Sequence, residues 1–203
     1  MKNHSVFVVE DDEAVRDSLL TLLRVQGIRA RGFTSGKDFF DNLPDEPSAC
    51  VITDVRMPDF DGTEVVRRLA ETRGHAWPVI VITGHADVPM VIQMMKMGVA
   101  DFIEKPFDPS RLIEAVKGCI GHLAEWEGAQ EARKAAEARR SQLTPREAQV
   151  FQGLIEGKSN KEIALDLDIS PRTVEIFRAK VMDKMQAPTL SALVRIGVTL
   201  SAA

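Results

Sequence analysis

The sequence predicts an α/β domain built on a doubly wound, five-stranded parallel sheet, followed by a small all-α domain of four helices. Three observations predict it. Short apolar runs alternate with helical patterns through residues 1–122, an Ala/Glu/Arg-rich stretch fills residues 123–141, and residues 142–203 show no strand-like alternation. With 203 residues, 44% of them hydrophobic and 28% charged, the chain is long and apolar enough to bury a core in each domain.

Ser5–Val9 is the first strand candidate, followed by a helix over Glu13–Gln26 with Val15, Leu19, Leu22 and Leu23 at helical spacing. Arg29–Phe33 reads as the second strand and Ser35–Leu43 as the second helix. Cys50–Thr53 is short and β-branched, the signature of a buried strand, and Gly62–Glu71 is the next helix. Val79–Thr83, Pro89–Met97, Ala100–Ile103 and Pro109–Leu123 complete the alternation. Strand–helix repeats of this kind imply right-handed crossovers and a parallel sheet covered on both faces, here a flavodoxin-like domain.

Residues 123–141 contain no proline and a single glycine, so they suit an exposed helix or a semi-rigid linker. Beyond them lie four helical segments: Pro145–Glu156, Asn160–Leu167, Pro171–Met185 and Leu190–Leu200. Thr144-Pro145-x-Glu147 sets a cap, an N1 proline and a capping-box glutamate in order, and Ser170-Pro171 repeats the cap and proline.

The net charge of −4 divides unevenly: −5 over residues 1–122, zero over 123–141 and +1 over 142–203. This argues against a non-specific nucleic-acid coat while leaving room for a small binding face. No apolar run reaches the roughly 18 residues of a membrane span. The N-terminus turns acidic where a signal peptide needs its apolar core, so the expected location is the cytoplasm, with no membrane partner. Cys50 and Cys119 lie in apolar stretches without ligand-like spacing to a histidine. They read as buried thiols rather than a disulfide or a metal site.

Chemistry concentrates at the strand ends. Glu10, Asp11 and Asp12 follow the first strand, Asp54 the third, Thr83 ends the fourth and Lys105 follows the fifth. A sheet ordered 2-1-3-4-5 sets the first and third strands side by side and brings Glu10, Asp11 and Asp54 together. Crowded carboxylates need a compensating cation, and Mg²⁺, with its preference for oxygen ligands, is the natural one. A carboxylate such as Asp54 can take a phosphoryl group, with Thr83 and Lys105 meeting its oxygens. Any one of these residues also reads as a helix cap; four successive strand ends do not. Asp12 reads equally as a cap or as a residue behind the site. Lys105-Pro106 is a candidate cis peptide that aims the lysine inward.

VVEDDEAVRDSLLTLL, TDVRMPDFDG, VIVITGH and DFIEKPF together resemble the receiver domain of two-component response regulators, across residues 1–122. The resemblance implies that Asp54 is the phosphoacceptor and a sensor histidine kinase the donor. It implies Mg²⁺ (or Mn²⁺) held by Glu10, Asp11, Asp54 and the Arg56 backbone carbonyl, with Thr83 and Phe102 as the switch. By itself Phe102 reads as core. The chain departs from the commoner pattern in carrying Glu10 where Asp is usual. His85 and Arg56, two residues beyond Thr83 and Asp54, are placed to tune the lifetime of an acyl phosphate.

In the second domain Asn160–Leu167, a turn at 168–170 and Pro171–Met185 have the lengths of a helix-turn-helix. Val174, Phe177, Val181 and Met185 form a core stripe, and the opposite face reads as either a solvated surface or a DNA-binding one. LTPREAQVFQGLIEGKSNKEIALDLDISPRTVEIFRAKVMDKM resembles the LuxR-type tetrahelical helix-turn-helix over residues 142–200, and ISPRTVE with VMDKMQA resembles the FixJ branch. Residues 142–203 are thus expected to bind double-stranded DNA. Glu175, Ile176, Arg178 and Ala179 would meet base edges, while Lys158, Asn160, Lys161, Arg172, Thr173 and Lys180 would meet phosphates. The resemblance also implies RNA polymerase as a partner, activation of transcription, and a homodimer formed on phosphorylation. The helix bearing Met90, Met94, Met95 and Met97 is the expected pairing face, with at least two of these methionines belonging to the core. Two rival readings use the same residues. A Mg²⁺-dependent phosphatase is disfavoured because Arg56 stands where a general acid belongs, and an adaptor would never touch DNA. The expectation is a signalling and DNA-binding protein, not an enzyme, whose receiver assists only its own phosphoryl transfer and hydrolysis.

Overall fold

The computed structural model describes residues 4–58, 60–84 and 87–201. Two units divide the chain, Met1–Trp126 and Glu127–Ala203. In the first, β1 (Ser5–Val9), β2 (Ala30–Phe33), β3 (Ala49–Asp54), β4 (Val79–Thr83) and β5 (Asp101–Glu104) form one parallel sheet ordered β2-β1-β3-β4-β5. This is the order that sets β1 beside β3, with Val9 in register with Thr53.

The strands form because β-branched side chains fill both faces. Phe7, Val9, Val51 and Val81 pack on one side against Phe39 of α2 (Gly36–Asp41), Val65 and Leu69 of α3 (Gly62–Thr72), and Met94 of α4 (Val88–Lys96). Val8, Cys50, Ile52 and Ile80 pack on the other against Leu19 and Leu23 of α1 (Glu13–Val25), and Leu112 and Val116 of α5 (Pro109–Arg140). Each such side chain contributes about 1.5–3 kcal/mol by leaving water. An aromatic group anchors the first side, with Phe33 edge-on to Phe39 at 5.1 Å and Phe7 5.3 Å from the Trp77 ring.

Side-chain caps start the helices. Asp12, Ser35, Asp61 and Asp87 each accept from a backbone N–H in the first turn, which settles Asp12 as the cap of α1. Gly98, at φ +82°, ends α4 in the left-handed region that a side chain disfavours. Of the four methionines, Met94 is buried, Met90 and Met97 pack against the core, and Met95 is exposed. The expectation of at least two core methionines holds.

One boundary differs from expectation: α5 does not end near Leu123 but runs on to Arg140, 32 residues in all. Nothing in residues 124–140 stops it. Gly128 costs only about 1 kcal/mol, and Arg133 bonds Glu137 one turn on at 3.0 Å. The stretch read as an exposed helix or a semi-rigid linker is therefore helical as far as Arg140.

The second unit adds α6 (Pro145–Ile155), α7 (Asn160–Leu167), α8 (Pro171–Lys184) and α9 (Leu190–Ser201). Thr144 and Glu147 form the capping box read from the sequence, and Ser159 with Glu162 forms a second. Val150, Phe151, Leu154, Ile163, Val174, Val181, Met185 and Leu193 make the core, so three residues of the stripe read along α8 are buried and the fourth, Phe177, is partly buried against them. Glu147 is buried, bonded by Lys184 at 2.6 Å, and its carboxyl falls to about 2 through that bond and the Thr144 amide. Among the described residues, no helix is long and apolar enough to cross a membrane.

Candidate functional site

At the carboxyl ends of the sheet, topology gathers residues from three strands. Lys105 Nζ stands 2.8 Å from Glu10 Oε2 and 2.6 Å from Asp54 Oδ2, so one ammonium joins two carboxylates that are 95 and 51 residues away in the chain. The Lys105–Pro106 peptide is cis, and the Lys105 N–H bonds the Thr83 carbonyl at 2.8 Å, fixing where the lysine leaves β5. Thr83 is fully buried at the end of β4 and Phe102 is half-buried on β5 against the aromatic side of the core.

Burial sets the electrostatics. Only 4% of the Glu10 side chain and 12% of the Asp54 side chain reach solvent. Desolvation raises the Glu10 carboxyl above the usual range, and the Lys105 hydrogen bond offsets this only in part. Burial also works against the Lys105 charge, but the bonds to Asp54 and Glu10 win and its ammonium titrates higher than usual.

Glu10, Asp54 and Lys105 are thus brought together by hydrogen bonds that do not include the Asp11 side chain. It is exposed and lines a cleft of about 480 Å³ with Val55, Arg56, Met57, Asp61 and Met90. Among the described residues no three His, Cys, Asp or Glu side chains converge as a metal-holding group. The chemistry of the donor set nevertheless fits a hard cation, because every side chain the sequence nominated offers oxygen and only one ammonium balances the buried pair. The Arg56 amide bonds Asp54 Oδ1 at 3.0 Å, which orients the carboxylate. His85 lies outside the described residues.

Three supporting residues escaped the sequence reading. Arg16 donates to the Glu10 carbonyl at 2.9 Å, and Thr53 Oγ1 donates to the Asp54 carbonyl at 2.9 Å. Gly62 backs onto the same carbonyl: a Cβ there would lie 2.1 Å from the Asp54 oxygen. Gly62 itself, read only as the first residue of a helix, was the signal for this close approach.

On the second unit, α7 and α8 join through Asp168, which takes the left-handed conformation at φ 52°. Glu175, Ile176 and Ala179 are exposed on α8, Ile176 at 54%, as base-reading residues must be. Arg178 is half-buried and donates to Asn160 Oδ1 at 3.3 Å, tying the two helices. Lys161, Arg172 and Lys180 are exposed, the last with its ammonium 5.8 Å from the Phe177 ring. Three expected phosphate contacts already have partners. Asn160 takes the bond from Arg178. Lys158 pairs with Asp166 at 2.9 Å and Glu156 at 3.2 Å, and the Thr173 hydroxyl lies 2.8 Å from Ser170 Oγ, within the α8 cap.

Comparison with known proteins agrees with both units. Residues 6–117 match the response regulator receiver domain, and residues 141–196 match the bacterial regulatory proteins of the luxR family. The transcriptional regulatory protein FixJ of Azorhizobium caulinodans is 46% identical over 193 residues, spanning 95% of this chain and 91% of that protein. Full-length FixJ from B. japonicum is similar in structure at a TM-score of 0.60 and 41% identity, covering 100% of both chains. The response regulator StyR is similar at a TM-score of 0.80 and 35% identity, covering 97% of this chain and 98% of that one. The chain belongs to the FixJ type of two-component response regulators, transcriptional regulators that join a receiver to a LuxR-family helix-turn-helix domain.

Proposed function

We propose that Asp54 accepts a phosphoryl group from a sensor histidine kinase and that this controls sequence-specific binding of the second unit to double-stranded DNA. The observation that carries the reading is the shared ammonium: Lys105 holds the Asp54 carboxylate at 2.6 Å, at the mouth of the sheet, where it also meets the oxygens of an incoming phosphoryl group. Glu10, Asp11, Asp54 and the Arg56 carbonyl would hold Mg²⁺ or Mn²⁺, which when bound supplies charge neutralisation to the phosphoryl oxygens. Thr83, at the end of β4, donates its hydroxyl to the phosphorylated carboxylate, and Phe102 on the neighbouring strand follows that movement.

The output is a homodimer on DNA. Val88, Ile92 and Met95 recur at i, i+4 and i+7 along α4 and are 72%, 49% and 54% exposed, an apolar row suited to pairing with a second copy. The net charge of +1 on residues 142–203 gives one copy few phosphate contacts, so two copies on a two-fold site supply the affinity. The DNA-bound dimer then contacts RNA polymerase and activates transcription.

The test is labelling of the full chain by a small phosphodonor with Mg²⁺, followed by sizing. Wild type should be labelled and shift from monomer to dimer, and Asp54→Asn should do neither. An Asp54→Asn protein labelled like wild type would end the assignment.

A further inference from the structure

The first unit holds a cavity that phosphorylation of Asp54 does not use. It measures about 610 Å³ and lies at the ends of the strands opposite Asp54, by Val79 at the start of β4. Val66 of α3, Met97 just past α4 and Leu123 of α5 supply aliphatic wall, and Trp77 and Trp126 supply aromatic wall. A volume of roughly 300–1,000 Å³ with a mostly apolar lining is what small-molecule sites have in common. Among the described residues no Asp, Glu, Lys or Arg lines it, so nothing there answers the full charge of an ion. His75 and His122, which also line it, are exposed.

The second observation is a polar group without a partner. Trp77 is 1% exposed, and its indole N–H finds no hydrogen-bond acceptor among the described residues. The ring itself is held on several sides. Phe7 and Phe39 pack against it at 5.3 and 6.2 Å, and the Arg73 guanidinium lies over it at 5.1 Å. A buried donor left bare is costly, and folded interiors contain few of them. Because Trp77 lines the cavity, an occupant can bring the acceptor that the fold does not supply.

We propose that this cavity binds a neutral, flat aromatic molecule of about two or three rings, with an oxygen acceptor that takes the Trp77 indole N–H. The tryptophan walls hold flat rings by offset or edge-on contact, in addition to the area removed from water. The acceptor sets orientation and specificity, since a ring system of the same size without it leaves the indole N–H bare. The site is separate from the carboxylate cluster. Val79 pairs with Val51 at one end of β3, and Asp54 stands at the other. Binding therefore requires neither a phosphoryl group nor a metal ion.

The test is a nuclear magnetic resonance titration of the full chain, isotope-labelled on nitrogen, with 2-acetylnaphthalene and with naphthalene, which lacks the carbonyl. Trp77 and Trp126 are the only tryptophans of the sequence, so two indole N–H signals report on the site, and Trp126→Phe assigns them. 2-Acetylnaphthalene should move the Trp77 indole proton downfield to saturation. Naphthalene should bind about tenfold more weakly and produce no such downfield shift. Ala70→Phe, which enlarges an exposed lining residue of α3, should abolish binding while phosphodonor labelling of Asp54 stays as in wild type. A Trp77 signal that does not saturate up to the solubility of 2-acetylnaphthalene would mean that the cavity holds solvent alone, and would overturn the proposal. So would equal binding of the two probes, or an unchanged titration in Ala70→Phe. The comparison of probes on wild type decides even where a variant fails to fold.

Discussion

The two units present charge in opposite ways. In the first, Glu10 and Asp54 are carried to the strand ends and desolvated there, balanced by the Lys105 ammonium between them. In the second, the residues nominated to touch DNA sit mostly in water on α7 and α8, where charge costs little and contributes little until a partner arrives. Chemistry on a buried carboxylate requires electrostatics organised in advance. Recognition of a polyanion requires the reverse, cations left free to trade water and counterions for phosphate.

The largest effect should come from breaking the buried balance. Lys105→Met leaves Glu10 and Asp54 without their cation and should cost about 2–3 kcal/mol at pH 7 in urea denaturation. A Glu10 carboxyl raised above its unfolded value penalises folding only once pH climbs past about 4.5, so the deficit should shrink at pH 5. A deficit equal at both pH values would mean the loss is packing alone. Gly62→Ala tests the backbone behind the site. The added carbon meets the Asp54 carbonyl rather than a flexible side chain, so about 1–3 kcal/mol of stability and most phosphodonor labelling should be lost together.

The exposed surface should respond differently. Arg178→Ala should weaken discrimination between operator and altered operator by about 1–3 kcal/mol, as a base-reading residue does, whereas Lys161→Ala should weaken all DNA about equally and lower the salt slope by about 1. Equal loss on every sequence in Arg178→Ala would move that residue to the phosphate class. The smallest effect concerns Glu147, the buried carboxylate of the second unit. Its folded value of about 2 against an ordinary 4.5 means that its contribution is present above about 4.5 and disappears as pH falls toward 2. Hydrogen exchange in α6 and α8 should show that loss, and Glu147→Gln should remove the pH dependence.

What was legible in the chain follows the same division. The convergence of Glu10, Asp54 and Lys105 could be read because a parallel sheet leaves one place for strand ends to meet, and the Asp54-to-Lys105 contact lies there. Side-chain-to-backbone contacts carry no such pattern: an arginine at position 16 looks like any exposed residue of α1 until its bond to the Glu10 carbonyl is seen. On α8 the core stripe was plain from spacing, but Lys158 was read as a phosphate contact, and Asp166, eight residues on, already holds it. Pairing between neighbouring short helices depends on the turn that joins them, and composition does not give that turn. The missed length of α5 has a simpler cause. An Ala/Glu/Arg stretch reads the same as linker or helix, and only the absence of a stop signal decides.

The aromatic core of the first unit has an optical consequence. Trp77, packed on Phe7 and Phe39, and Trp126 are the only tryptophans of the sequence, which has no tyrosine; both fall in Met1–Trp126. Residues 142–203 hold just Phe151 and Phe177 as aromatics. Intrinsic fluorescence therefore watches the receiver alone, and the helix-turn-helix unfolds in the dark. Emission and helical ellipticity recorded on one sample would separate the melting of the two units without cutting the chain.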